Sequence, residues 1–208
     1  MCQPPYHPAI AETIDLNTLV ENGTMPRPIA STLREAARAR RSFLVMAVPR
    51  LAGKTTVKAA ILAERPKGAP VRTVGEDGDD IDLLLGQSAN GYIDIPEISQ
   101  HPVAPGYIWG APVRRVFAGI STTVALAVAL HAADPDEAFE IICGGCGVPD
   151  ADAAKLSLVV YLRSFGKWQA PTRRAVEAVH EIVGVKGGKP IARPIYQRDA
   201  DASRGPRT

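Results

Sequence analysis

Cysteine is scarce in this chain, with three residues, at positions 2, 143 and 146, in a length of 208. That excludes the disulfide framework of a small secreted domain and points to a reducing compartment. No basic start and no long apolar run open the sequence, which begins MCQPPYHPAI, so no secretory signal is expected. An excess of one charge is lacking as well. The formal net charge is +2, too little to argue for nucleic acid by itself. Only residues 116–133, without Asp, Glu, Lys or Arg, resemble a membrane span, and Gly119 and a Ser-Thr-Thr run interrupt them. A helix end, a turn and a buried strand are the expected reading, and a cytoplasmic location follows from these absences. There is no internal repeat.

What is present is ordinary globular composition, 46% hydrophobic and 22% charged, in a length that suits one sizeable core. Residues 1–30 hold five prolines and read as an N-terminal arm, with a weak helix through AETIDLNTLVENG closed at Gly23. A charged, alanine-rich helix is expected after Ser31. From there to residue 185, short apolar runs alternate with helical segments. SFLVMAV is read as a strand, TTVKAAILAERP as a helix stopped near Pro66, and APVRTVGED and GYIDIPEI as strands ending in acids. PVRRVFAGI is read as a helix, and TVALAVALHA as a strand apolar on both faces. DPDEAFEIICGG is an acid-started helix stopped by glycine. KLSLVVYLRSFG and AVEAVHEIVGV are read as two later strands. This alternation predicts an α/β fold with a mostly parallel sheet covered by helices on both faces. Residues 186–208 carry a net charge of +4 against −2 for the rest, show no periodicity, and are expected to be a basic, mobile tail.

Between the first strand and its helix stands VPRLAGKTT, residues 48–56. A phosphate cradle needs converging backbone N–H groups, a helix N-terminus behind them and a lysine that reaches the outer phosphates. Gly53 frees the backbone before the helix, Lys54 supplies the charge, and Thr55 offers a hydroxyl for magnesium. The cradle is therefore expected over Pro49, Arg50, Leu51, Ala52, Gly53, Lys54, Thr55 and Thr56. The first glycine of the usual pattern is missing: Val48 stands in its place, where a positive φ is costly. Hydrolysis would also require a carboxylate near the magnesium and a group that orients water. In a parallel sheet such groups stand at the carboxyl ends of strands. Glu76 with Asp77, Glu97 and His131 hold those places. The alternatives are a solvated acidic turn, EDGDD, for the first pair and a structural role for the lone histidine.

Taken together these segments resemble the ATPase core of the type II and type IV secretion and type IV pilus superfamily. LAGKTT resembles its P-loop, VGED its acidic box, IPEI its Walker B strand and ALHAADPDEAFEII its histidine box, and the similarity covers roughly residues 32–185. The resemblance implies a RecA-like P-loop fold, a three-layer αβα sandwich, and the use of ATP with Mg2+. It also implies roles: Lys54 and Thr55 on phosphate and metal, Glu76 polarising the attacking water, Glu97 near the metal together with Thr55, and His131 sensing the γ-phosphate. A homo-oligomeric ring, partners in secretion or pilus machinery and a place beside the inner membrane are implied in the same way. Departures are Val48, Ser99 and Gln100 where the family has arginine and aspartate, and a short Pro-rich arm in place of the family's N-terminal domain. They leave a second reading open, a nucleotide-binding regulator or assembly partner with little hydrolysis. A third is a structural or nucleic-acid-associated module with a vestigial loop. Arg114 with Arg115 and Arg173 with Arg174 are two candidate arginine pairs for a neighbour's phosphate, or else solvated surface residues. Cys143 and Cys146 spell half a zinc site, although a glycine-rich helix stop is the expected reading.

Overall fold

Uninterrupted apolar runs form the middle of the sheet. In the computed structural model, which describes residues 14–48, 51–75, 80–101, 104–167 and 169–199, SFLVMA is β1 (Ser42–Ala47) and VALAVAL is β5 (Val124–Leu130), both buried throughout. Strands covered on both faces need no polar alternation. The Ser42 hydroxyl in β1 is satisfied by accepting from the Leu126 N–H at 3.0 Å. β1 lies between β5 and β6 (Leu156–Lys167) and runs parallel to both. The strand order is β2-β3-β5-β1-β6-β7-β8, where β2 is Val71–Thr73 and β3 is Gly91–Ile98, with β4 (Tyr107–Ile108) paired to β3. β7 (Ala170–Lys186) and β8 (Lys189–Gln197) extend the sheet antiparallel. The mostly parallel sheet expected from the alternation is the one that forms.

Two apolar clusters cover its faces. One joins α1 (Leu16–Glu21), α2 (Arg27–Arg38) and α3 (Lys54–Ala63) to the sheet. The other is built on α5 (Ala111–Gly119), α6 (Pro135–Phe139), the π-helical turn Glu140–Gly145 and α7 (Asp150–Ala153). α4 (Ile81–Gln87) packs against this second cluster through Ile81, Leu84 and Leu85. The sequence stretch 116–133 divides into the end of α5, a turn and β5. Among the described residues no helix is long and apolar enough to cross a membrane.

Two segment readings are corrected by the structure. The expected Pro-rich arm is packed over its described part, since Leu16, Leu19, Met25, Ile29 and Ala30 all enter the core. Pro26 caps α2 and Pro28 lies in its first turn, where no N–H is needed, so α2 begins at Arg27 rather than after Ser31. Its buried face, Ile29, Ala30, Leu33, Ala36 and Ala37, has helical spacing built largely from alanine. The expected basic tail is β8 over Lys189–Gln197. Gly187 and Gly188, both at positive φ, form a two-residue turn of the kind that joins twisted antiparallel strands. Asp150 fixes that turn by accepting from both of their N–H groups, at 2.6 and 2.9 Å. Within EDGDD, Asp80 caps α4 by accepting from the Asp82 and Leu83 N–H groups. Glu76, Asp77 and the outermost termini lie outside the described residues.

Candidate functional site

The carboxyl ends of β1, β3 and β5 are level with one another. Register pairs Met46 with Leu130 and Ile98 with Leu130, so the loop after β1, Glu97 near the end of β3 and His131 after β5 share one edge. An open cleft of about 810 Å³ lies there, lined among others by Gly53, Lys54, Thr55, Glu97, His131 and Arg173. Thus Leu51, Ala52, Gly53, Lys54, Thr55, Thr56, Glu97 and His131 are brought together around one cleft. Pro49, Arg50 and Glu76 lie outside the described residues.

The loop turns without its first glycine. Val48 is not in the left-handed region; among the described residues of the loop, positive φ falls on Leu51 (64°) and Gly53 (94°). Gly53 is the residue before α3 and turns the chain into the helix whose first residue is Lys54. Leu51 carries a side chain in a conformation that costs about 1–2 kcal/mol, and that side chain is 58% exposed. Little packing is therefore lost on its removal. We expect Leu51→Gly to raise stability by about 1 kcal/mol or less, strain relief exceeding the added unfolded-state entropy. A thermal melt showing no gain or a loss would contradict it.

Glu97 and Lys54 face each other across the cleft floor, Lys54 Nζ standing 3.3 Å from Glu97 Oε1, both side chains nine-tenths buried or more. One turn further along α3, buried Lys58 pairs with Asp94 and donates to the Ile95 carbonyl at 2.9 Å. In an ordinary strand Asp94 and Glu97 would point to opposite faces. The register shift between Ile95 and Ile98, where Pro96 stands, turns both toward α3. His131 Nδ1 is 3.0 Å from the Ala47 carbonyl. A carbonyl only accepts, so Nδ1 carries the proton in that contact.

The arginine pairs differ. Arg114 donates to the Cys146 carbonyl at 2.6 Å and Arg115 is paired with Asp82 on the surface. Arg173 and Arg174, on β7, line the cleft itself. Arg174 Nε donates to the Leu51 carbonyl at 2.8 Å. Cys143 and Cys146 lie in or beside the π-helical turn. Burial, with the charge of Asp150, pushes the Cys143 thiol up to about 11, and burial raises Cys146 too. Neither is therefore a poised thiolate.

No protein-family model matches the chain, and no curated protein matches it significantly. Solved structures do. The VirB11 ATPase from the Brucella suis type IV secretion system, in complex with sulphate, superposes with a TM-score of 0.52 at 17% identity, over 82% of this chain and 57% of that one. The Legionella pneumophila ATPase DotB gives 0.51 at 12% identity, over 71% of this chain and 47% of that one. This chain shares the fold of these two ATPases. It spans about half the length of these two proteins. Within that shared fold, the loop after β1 and the ends of β3 and β5 fall on the edge where α/β sheets of this type place ligands.

Proposed function

We propose that the cleft binds a nucleoside triphosphate with magnesium and that the chain is an ATPase related to secretion and pilus motors. The observation that carries this reading is the convergence of Lys54, Thr55, Glu97 and His131 on one cleft at the head of α3. The N-terminus of that ten-residue helix favours an anion, and Lys54 adds a fixed charge beside it. The Brucella VirB11 protein, of like fold, was solved in complex with sulphate.

The donor set fits magnesium. A hydroxyl on Thr55 and a carboxylate on Glu97 line the same cleft, and Mg2+ typically takes one or two protein oxygens with phosphates and waters completing its shell. Bound there, the ion would neutralise phosphate charge. Lys54 would contact the phosphates, and His131, held through Nδ1 by the Ala47 carbonyl, would contact the outermost one. Glu76 keeps its proposed role of polarising the attacking water on the resemblance alone. A ring of copies and partners in secretion machinery belong to the same proposal.

A second reading, binding with little turnover, is favoured by the end of β3. Ser99 stands there instead of arginine, its hydroxyl engaged with the N–H of His101 at 3.1 Å. Calorimetry with Mg-ATP and phosphate release, on the wild type and Lys54→Ala, decide between them. The ATPase reading expects binding by the wild type and release above background. Lys54→Ala is expected to weaken binding about 10- to 100-fold, the usual worth of a hydrogen bond to a charged group, and to abolish release. Binding with background release selects the second reading, and no binding by the wild type overturns both.

A further inference from the structure

The β6–β7 hairpin reaches over the phosphate loop of its own chain. Arg174 is tied to the Leu51 carbonyl, and a methyl group built on Gly53 would stand 3.1 Å from Arg174 Cδ. Arg173, its neighbour, has its guanidinium stacked on the Phe165 ring, 4.4 Å from the centroid, and Phe165 is its cross-strand partner. Such stacking holds a guanidinium in place without using its N–H groups. Arg173 Nη2 is buried with no hydrogen-bond acceptor among the described residues, and the residue lines the same cleft as Lys54 and Thr55. A buried guanidinium N–H left without an acceptor is costly, and planar forks of this kind suit phosphate oxygens.

We propose that Arg173 reads the outermost phosphate in cis, so that each chain supplies to its own site the arginine that separates a nucleoside triphosphate from the diphosphate. Arg174 is a positioning residue that fixes the loop at Leu51. The proposal rests on the nucleotide reading of the cleft. It differs from a ring in which the arginine comes from a neighbour, because here Arg174 touches the loop, and Arg173 lines the cleft, of the chain that carries them.

The test measures binding of a non-hydrolysable Mg-ATP analogue and of Mg-ADP to the full chain by calorimetry. Arg173→Ala is expected to weaken the analogue about tenfold or more while changing ADP less than about twofold, since a charged hydrogen bond is lost to the outer phosphate alone. Arg173→Lys, which keeps the charge without the fork, is expected to fall between and guards against misfolding of the alanine variant. Arg174→Ala is expected to weaken both nucleotides together. Equal weakening of analogue and ADP by Arg173→Ala overturns the proposal while leaving the nucleotide site intact. No binding of either nucleotide by the wild type overturns the site itself. In a final arm, Lys54→Ala and Arg173→Ala chains are mixed. A recovered preference for the analogue would mean that the arginine acts between chains and would overturn the cis assignment; unchanged weak binding supports it.

Discussion

Asp94→Asn lowers the melting temperature by roughly 10 °C, the expected result of leaving the Lys58 ammonium in the core without its counter-charge. Lys58 is 4% exposed and Asp94 9%, so water does not replace the lost carboxylate. Removing one partner of a buried ion pair costs about 3–5 kcal/mol, and each kcal/mol shifts the melting temperature of a chain this size by about 2–4 °C. The Ile95 carbonyl, 2.9 Å from Lys58 Nζ, offsets only part of the loss, and Thr73 Oγ1, 3.3 Å from Asp94 Oδ2, loses a charged acceptor as well.

The control is the double variant Lys58→Met with Asp94→Leu. Replacing both members by apolar groups of similar volume is often neutral or stabilising, so the double variant is expected to melt near the wild type. Recovery identifies the buried charge, and not a general disturbance of β3, as the cause. An unchanged melting temperature in Asp94→Asn would show that water reaches Lys58 in solution.

The pair also shows where sequence reading stops. The order of the candidate phosphate loop, the acid-ended strand and the histidine after an apolar strand was legible, because each signal is local: an apolar run, then a polar residue. Fold class followed from the alternation of those runs with helical spacing. Which face Glu97 occupies was not legible. Strand parity sets it opposite Asp94, and only the shift at Pro96 brings both to α3. Nothing in the helical stretch TTVKAAILAERP marks its charged Lys58 as buried, yet it is buried against β3. In the described part of the loop a positive φ stands on Leu51, three residues after Val48, a residue type that gives no hint of it. β8 was missed although Gly-Gly between two β-rich stretches is a hairpin signal, because Pro190 and Pro194 stand inside it and proline argues against a strand. The weak helix expected through AETIDLNTLVENG is α1, whereas the start of α2 was missed because its prolines, which serve there as a helix start, were read as part of an arm.

Glu97→Gln separates binding from turnover in a way Lys54→Ala does not. Before ligand enters, the carboxylate stands 3.3 Å from Lys54 and both are nearly excluded from water. A phosphate group must draw Lys54 away from that partner. Glutamine removes the competing charge and makes the cleft more positive by one unit, so Mg-ATP affinity is expected to stay the same or rise, within about tenfold. Turnover follows the opposite course. With Thr55, Glu97 is the proposed metal-side group, and charge placed to stabilise a transition state in a buried site is worth about 10²–10³ in rate. Phosphate release by Glu97→Gln is therefore expected to fall at least about 100-fold. Steady-state phosphate release paired with calorimetry reads both quantities on the same samples. Unchanged turnover would remove Glu97 from the proposed chemistry and leave it a structural partner of Lys54. A joint fall in affinity and turnover would mean that its charge is needed to hold Lys54 in position before the nucleotide arrives.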